Sequence, residues 1–228
     1  RVELGLSHIN MKVVRELTAV CDYLEDESES RAVVFSGSGA DFCQGIDFGE
    51  FNPDKPMDIH GFNKWEKICC RIERLPKATI AAVRGRAVGG GMQLALVADA
   101  RVATTDATFQ LNEVGLGFLP GMATFRLAKY VGIGHAKRLI MQCTQLPAAE
   151  AARLGFVDEV VDNLEDGINK TIEAFGPIHT VAIELSRRLL NESYSTHYED
   201  AIGNFLAAQH RAISQAAFLD TLKKHHED

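Results

Sequence analysis

Between Met11 and Leu24 the apolar residues Val13, Val14, Leu17, Val20, Cys21 and Leu24 fall at alternating steps of three and four, which lines one face of a helix. Arg31-Ala-Val-Val-Phe35 follows as a short, unbroken, β-branched run and predicts a buried strand. Ser36 to Asp41 is a turn cluster, and Phe48 to Gly61 holds two prolines, two glycines and mixed charge without any period, which predicts a mobile surface loop. Helical spacing resumes from Phe62 to Leu75 through Trp65, Ile68, Cys69 and Ile72, with Trp65 expected in the core, and Thr79 to Val83 predicts another strand. Farther on, Arg101 to Thr105 and Thr108 to Leu111 predict strands. Leu127 to Met141 and Ala148 to Leu154 predict helices, the second opening after Pro147. Phe156 to Val161 predicts a last strand. From Leu164 onward the spacing is helical, broken at Asn191 to Ser195 before a helix over Glu199 to Lys224.

Strand and helix alternate over the first two thirds, and helices alone fill the last third, which predicts an α/β core over residues 1–163 and a helical region over 164–228. No fixed-period repeat is present, so solenoids and propellers are not expected.

The densest chemistry sits in Gly85-Arg-Ala-Val-Gly-Gly-Gly-Met-Gln-Leu-Ala-Leu, where a strand enters a glycine turn and a buried helix leaves it. Gly89, Gly90 and Gly91 leave backbone N–H groups uncovered by side chains, which suits an anion or a developing oxyanion; glycines that merely let a helix pack closely fit equally well. The spacing is neither a dinucleotide fingerprint nor a phosphate-binding loop, because no G-x-G-x-x-G opens a βαβ unit and no Lys-Ser/Thr follows the glycines. A second glycine turn, Phe42-Cys-Gln-Gly-Ile-Asp47, follows a buried strand in the same way.

Three ordered segments resemble the crotonase (enoyl-CoA hydratase/isomerase) superfamily. Arg31 to Phe48 is similar to its strand, G-x-G turn and F-x-x-G-x-D loop. Ala78 to Asp99 is similar to its G-x-x-x-G-G-G turn and helix, and Ala107 to Gly121 to its A-x-F-x-x-x-E-x-x-x-G-x-x-P-G segment. The resemblance implies an α/β spiral of ββα units, C-terminal helices that complete the core or reach a neighbour, and homotrimers or hexamers. It also implies an acyl-CoA or acyl-carrier-protein thioester as substrate, with no cofactor beyond the coenzyme A or phosphopantetheine that the substrate carries. By motif, the oxyanion donors are the N–H groups of Ile46 and Gly90, flanked by Gly45, Gly89 and Gly91 as substrate-binding positions. Glu113 occupies the place of a catalytic general acid/base. Gln93 stands where hydratases of the family carry their other Glu; an amide cannot exchange a proton, so Gln93 is expected to orient water or substrate. Asp47 either substitutes for that missing carboxylate or caps the turn that follows it. The run Gln209 to Phe218 is similar to the tail of carboxymethylproline synthases, which pair Gln with Glu at these two positions, and by that resemblance His210 faces the substrate. The regions Asn63 to Leu75 and Pro120 to Arg126 are similar to crotonase homologues of polyketide and dihydroxyphenylacetyl pathways.

These residues leave three functions open: an enoyl-thioester isomerase or (de)hydratase with one catalytic Glu, a malonyl-type decarboxylase or carbon-carbon bond former, and a catalytically weak accessory homologue. Composition narrows the setting. Net charge is -7 over 228 residues with scattered basic groups, so neither nucleic acid nor an anionic membrane is an expected partner. The apolar runs are too short to cross a bilayer and the first residues lack a signal-peptide core, which predicts a cytoplasmic protein. Five cysteines, odd in number and without a C-x-x-C pair, predict reduced thiols rather than a disulfide framework or a zinc site.

Overall fold

The structure, a computed structural model, describes residues 1–5, 7–55 and 59–227; positions 56–58 of the expected loop from Phe48 to Gly61 lie outside the described residues. Strands numbered in chain order are β1 (Val2–Leu4), β2 (Ala32–Gly37), β3 (Ala78–Val83), β4 (Arg86–Val88), β5 (Ala100–Thr104), β6 (Thr108–Gln110), β7 (Leu146–Pro147) and β8 (Glu159–Val161). Helices α1 (Met11–Asp26), α2 (Ile59–Ile72), α3 (Gly90–Leu96), α4 (Ala123–Met141), α5 (Ala148–Arg153) and α6 (Leu164–Ala174) interleave with them. The chain closes with α7 (Thr180–Glu192), α8 (Tyr198–Ile213) and α9 (Ala216–Glu227).

Five strands form a parallel sheet in the order β1-β2-β3-β5-β8. Both faces of its middle are covered, which is why β3 is buried at all six positions and reads as a continuous apolar run instead of alternating. Ala81 and Val83 join the main core beneath α1, α2, α3 and α4, while Ile80 and Ala82 face Leu164 and Ile168 of α6 on the other side. A smaller sheet pairs β4 with β6 in parallel and β6 with β7 antiparallel. Single bridges, Ile9 to Ile46 and Cys43 to Ala87, tie the segment after β2 to the N-terminal stretch and to β4. Asn10 starts α1 by accepting hydrogen bonds from the N–H groups of Lys12 and Val13 at 3.1 and 3.0 Å.

Several elements differ from the expected spans, among them α2, which begins at Ile59 and ends at Ile72. The strand expected over Phe156 to Val161 is confined to Glu159–Val161, because the N–H groups of Phe156 and Val157 turn back to the Ala151 carbonyl at 2.9 and 3.2 Å and close α5. Helix α4 begins before Leu127, at Ala123, and is interrupted at Gly132, whose φ of 75° and ψ of 157° only glycine adopts at low cost. The C-terminal region is helical as expected, but the helix expected over Glu199 to Lys224 is two, α8 and α9, because the Ser214 N–H turns back to the His210 carbonyl and caps α8, and a further break separates α6 from α7. The buried guanidinium of Arg187 docks α7, bonding the Asp99 carboxylate and the carbonyls of Leu75 and Lys77. No residue of α8 is buried. Among the described residues no helix is long and apolar enough to cross a membrane.

Candidate functional site

The two glycine turns predicted from sequence meet. Beyond β2 the chain runs alongside β4: the Cys43 N–H donates to the Arg86 carbonyl at 3.1 Å, and the Val88 N–H returns to the Cys43 carbonyl at 2.8 Å. Gly45 then takes φ +88°, and a Cβ there would stand 3.0 Å from the Val88 oxygen and 3.7 Å from Gly89 Cα. Gly89 itself has φ 53° and ψ -119°, a conformation closed to residues with side chains. Gly91, expected to be a substrate-binding position, faces protein: a Cβ there would lie 2.3 Å from the Cys43 carbonyl oxygen. The contact therefore depends on bare backbone on both sides. Among the described residues neither the Ile46 N–H nor the Gly90 N–H has a hydrogen-bond acceptor, whereas their neighbours are committed, Asp47 N–H to the Ile9 carbonyl and Gly89 N–H to the Gln110 carbonyl.

Glu113 reaches the same turn from the end of β6. Its carbonyl accepts the N–H groups of Leu116 and Phe118, both at 3.0 Å, which holds the residue in place without using its side chain. Glu113 is only 3% exposed, and a Cβ on Gly89 would meet its Oε1 at 2.9 Å. Its Oε2 is buried with no partner. Burial pushes the Glu113 pKa up from the ordinary carboxylate value, opposed by its own N–H and by the nearby Gln93 side chain. A buried carboxyl shifted in that direction and carrying an uncommitted oxygen is suited to exchanging protons. Gln93, one turn into α3, is also buried, and Gly121 at φ +47° lies against its Oε1.

Two other expected site residues stand apart from this cluster. The Asp47 carboxylate accepts the Gly49 N–H at 2.9 Å and caps the 3₁₀ turn Phe48–Glu50, the structural alternative weighed for it. His210 is exposed on α8, which packs on α7 and α9.

Spacing alone did not reveal two further features. Phe48, Phe62 and Phe118 converge from the Ile46 segment, from α2 and from the Glu113 loop, with Phe118 6.0 Å from Phe48 and 6.2 Å from Phe62. Trp65 is buried as expected, yet its indole N–H has no acceptor. A helical stripe reveals that a tryptophan is inside; it does not reveal where the N–H points. A separate cavity of about 630 Å³, lined among others by Asp99, Arg126, Lys129 and Arg187, lies at the opposite end of α3 from Gly90. Its arginines are committed to Glu66, Glu73 and Asp99, so it offers none of the chemistry just described. No group of three His, Cys, Asp or Glu side chains is poised to hold a metal among the described residues.

The enoyl-CoA hydratase/isomerase family model matches residues 6–226. The chain is 32% identical to a short-chain-enoyl-CoA hydratase of Clostridium acetobutylicum, covering 96% of this chain and 88% of that protein. It is also 32% identical to an enoyl-CoA-hydratase of Amycolatopsis orientalis, covering 93% and 94%. The crystal structure of an enoyl-CoA hydratase from Bacillus anthracis superposes with a TM-score of 0.87 at 27% identity, over 96% of this chain and 87% of that one. One from Thermoplasma volcanium superposes with a TM-score of 0.84 at 30% identity, over 95% and 88%.

Proposed function

The chain belongs to the enoyl-CoA hydratase/isomerase family, an enzyme with that family's α/β fold, and from that premise we propose that it acts on acyl-CoA thioesters through an enolate held by the N–H groups of Ile46 and Gly90. One observation carries the reading: the two turns touch at Gly45 and Gly89, and the Glu113 carboxyl rests against that same Gly89. Fixed N–H dipoles aimed at one oxygen lower the energy of the charge that develops there, and losing one such donor typically costs about 3–4 kcal/mol of transition-state stabilisation. Glu113 is the group that moves the proton. Its raised pKa keeps it able both to give and to take one.

Gln93 shapes which reaction runs. An amide has no proton to exchange, so a mechanism with two working carboxylates is not supported here, and Gln93 instead orients water or substrate beside Glu113. Isomerisation of a double bond, or (de)hydration with Glu113 alone, follows as the preferred activity. The same Gln93 favours one second reading, decarboxylation of a malonyl-type thioester, because protonating the resulting enolate needs a single acid. The exposed apolar residues of the last helices, Phe205, Leu206, Phe218 and Leu222, support assembly into trimers or pairs of trimers through this region.

Purified protein incubated with crotonyl-CoA, a 3-enoyl-CoA and malonyl-CoA separates these readings by product. Turnover of an enoyl substrate that falls by at least about 100-fold in Glu113→Gln supports the first reading. Acetyl-CoA released from malonyl-CoA supports the second. Near-normal turnover in Glu113→Gln removes Glu113 from the mechanism, and inertness towards all three thioesters removes the proposal.

A further inference from the structure

Among the described residues three buried side-chain polar atoms lack a hydrogen-bond partner: Trp65 Nε1, Glu113 Oε2 and Thr104 Oγ1. Thr104 belongs to the end of β5. The other two border a single two-residue turn. A Cβ on Gly89 would meet Glu113 Oε1 at 2.9 Å, and a Cβ on Gly90 would meet Trp65 Nε1 and Cε2, both at 3.6 Å. The Nε1–Cε2 bond of the indole therefore borders the glycine whose amide is left free. Consecutive glycines are thus bordered by a carboxyl and an indole that each carry one unpartnered polar atom, Glu113 Oε2 and Trp65 Nε1.

Trp65 projects from the buried face of α2 with Ile68, Cys69 and Ile72, and the residue is nine-tenths buried. If it served packing alone, a phenyl ring or a leucine would fill the space without leaving a donor dry, and buried indole N–H groups usually find a partner. Ile9, which also crowds the Gly90 position, supplies no acceptor. Among the described residues no acceptor is within reach of the indole N–H.

We propose that Trp65 is a specificity-determining residue whose indole N–H donates a hydrogen bond to an oxygen on the acyl group, so that oxygenated acyl thioesters are preferred over plain hydrocarbon ones. This rests on the thioester reading of the site. A hydrocarbon chain leaves the N–H unpaired in the complex, whereas a keto, hydroxyl or carboxylate oxygen satisfies it. Sites built to hydrogen-bond a ligand group discriminate strongly against the analogue lacking it, because the protein's own buried polar group is then stranded.

The chain contains a single tryptophan, so its indole N–H gives one assignable ¹H–¹⁵N resonance. Labelled protein is titrated with acetoacetyl-CoA, which carries an oxygen at C3, and with butyryl-CoA, which does not. Both ligands should bind, and the indole proton should move downfield with acetoacetyl-CoA only. Trp65→Phe should weaken acetoacetyl-CoA about tenfold while leaving butyryl-CoA within about twofold. Binding of both ligands with the same indole shift, or an equal loss of both in the variant, overturns the role of Trp65 and leaves the thioester reading standing. Failure of both to bind the wild type overturns the two together. Should Trp65→Phe not fold, the wild-type titration decides alone.

Discussion

Gly91→Ala tests whether the close approach of the two turns matters for activity. The new Cβ would lie 2.3 Å from the Cys43 carbonyl oxygen and 2.7 Å from Cys43 Cβ, whereas ordinary contact begins near 3.4 Å, so α3 and the Cys43 segment must part by about 1 Å. Both obstacles are backbone or Cβ atoms, which cannot rotate aside, and the same carbonyl receives the Val88 N–H that holds the turn to β4. Overpacking of this kind typically costs about 1–3 kcal/mol. Alanine returns up to about 1 kcal/mol through helix propensity at a helical position. The net loss of stability is then about 0–3 kcal/mol, or a fall in Tm of less than about 12 °C for a chain of this size. Activity should suffer far more, since displacing one of two converging groups by about 1 Å costs on the order of 100-fold. Steady-state kcat/KM on the enoyl-CoA that the wild type turns over, measured beside calorimetric melting, reads both quantities on one preparation. Gly134→Ala is the control, because it is helical and no atom stands within 4 Å of its Cβ position; it should leave kcat/KM unchanged and, through helix propensity alone, raise Tm by no more than about 4 °C. If Gly91→Ala keeps kcat/KM within about threefold of wild type, the spacing of the turns does not control the chemistry and the reasoning fails.

Two further outcomes follow from the burial of charge. Because the folded state raises the Glu113 pKa, it holds that proton more tightly than the unfolded chain, so this group's contribution falls as pH rises from the ordinary carboxylate range through the folded value, and the cost persists above it. Glu113→Gln should therefore match the wild type in acid and become the more stable of the two towards neutral pH; urea midpoints taken from about pH 4 to pH 8 that run parallel would contradict the shift. Arg187→Met leaves Asp99 and the carbonyls of Leu75 and Lys77 without the guanidinium that α7 inserts between them. Removing one partner of a buried pair costs about 3–5 kcal/mol, so Tm should drop by roughly 10 °C, and a drop below about 3 °C would mean that α7 is held by something else.

Much of this was legible before any coordinates. The α1 stripe, the unbroken β3 run and both glycine turns are local patterns, and each formed where its spacing placed it. Glu113 was found through motif register, since an isolated glutamate in a loop carries no local mark. The misplaced ends have local causes that only packing selects. Phe156 and Val157 have strand-like side chains but spend their N–H groups closing α5, and the first turn of α4 buries only Ala123 and the charged Arg126, so it lacks the apolar stripe that would have announced it.

The order of side chains, acting through backbone preference and apolar period over a few residues, determined which segments are strand, helix or bare glycine turn. Tertiary structure alone decided that Gly45 would touch Gly89, that burial would raise the pKa of the Glu113 carboxyl, that Gly91 would face Cys43, and that the Trp65 Nε1 would be left beside Gly90. The reason is one of range. Propensity and amphipathicity are summed within a single element, whereas desolvation and the satisfaction of a hydrogen bond depend on atoms brought from distant parts of the chain.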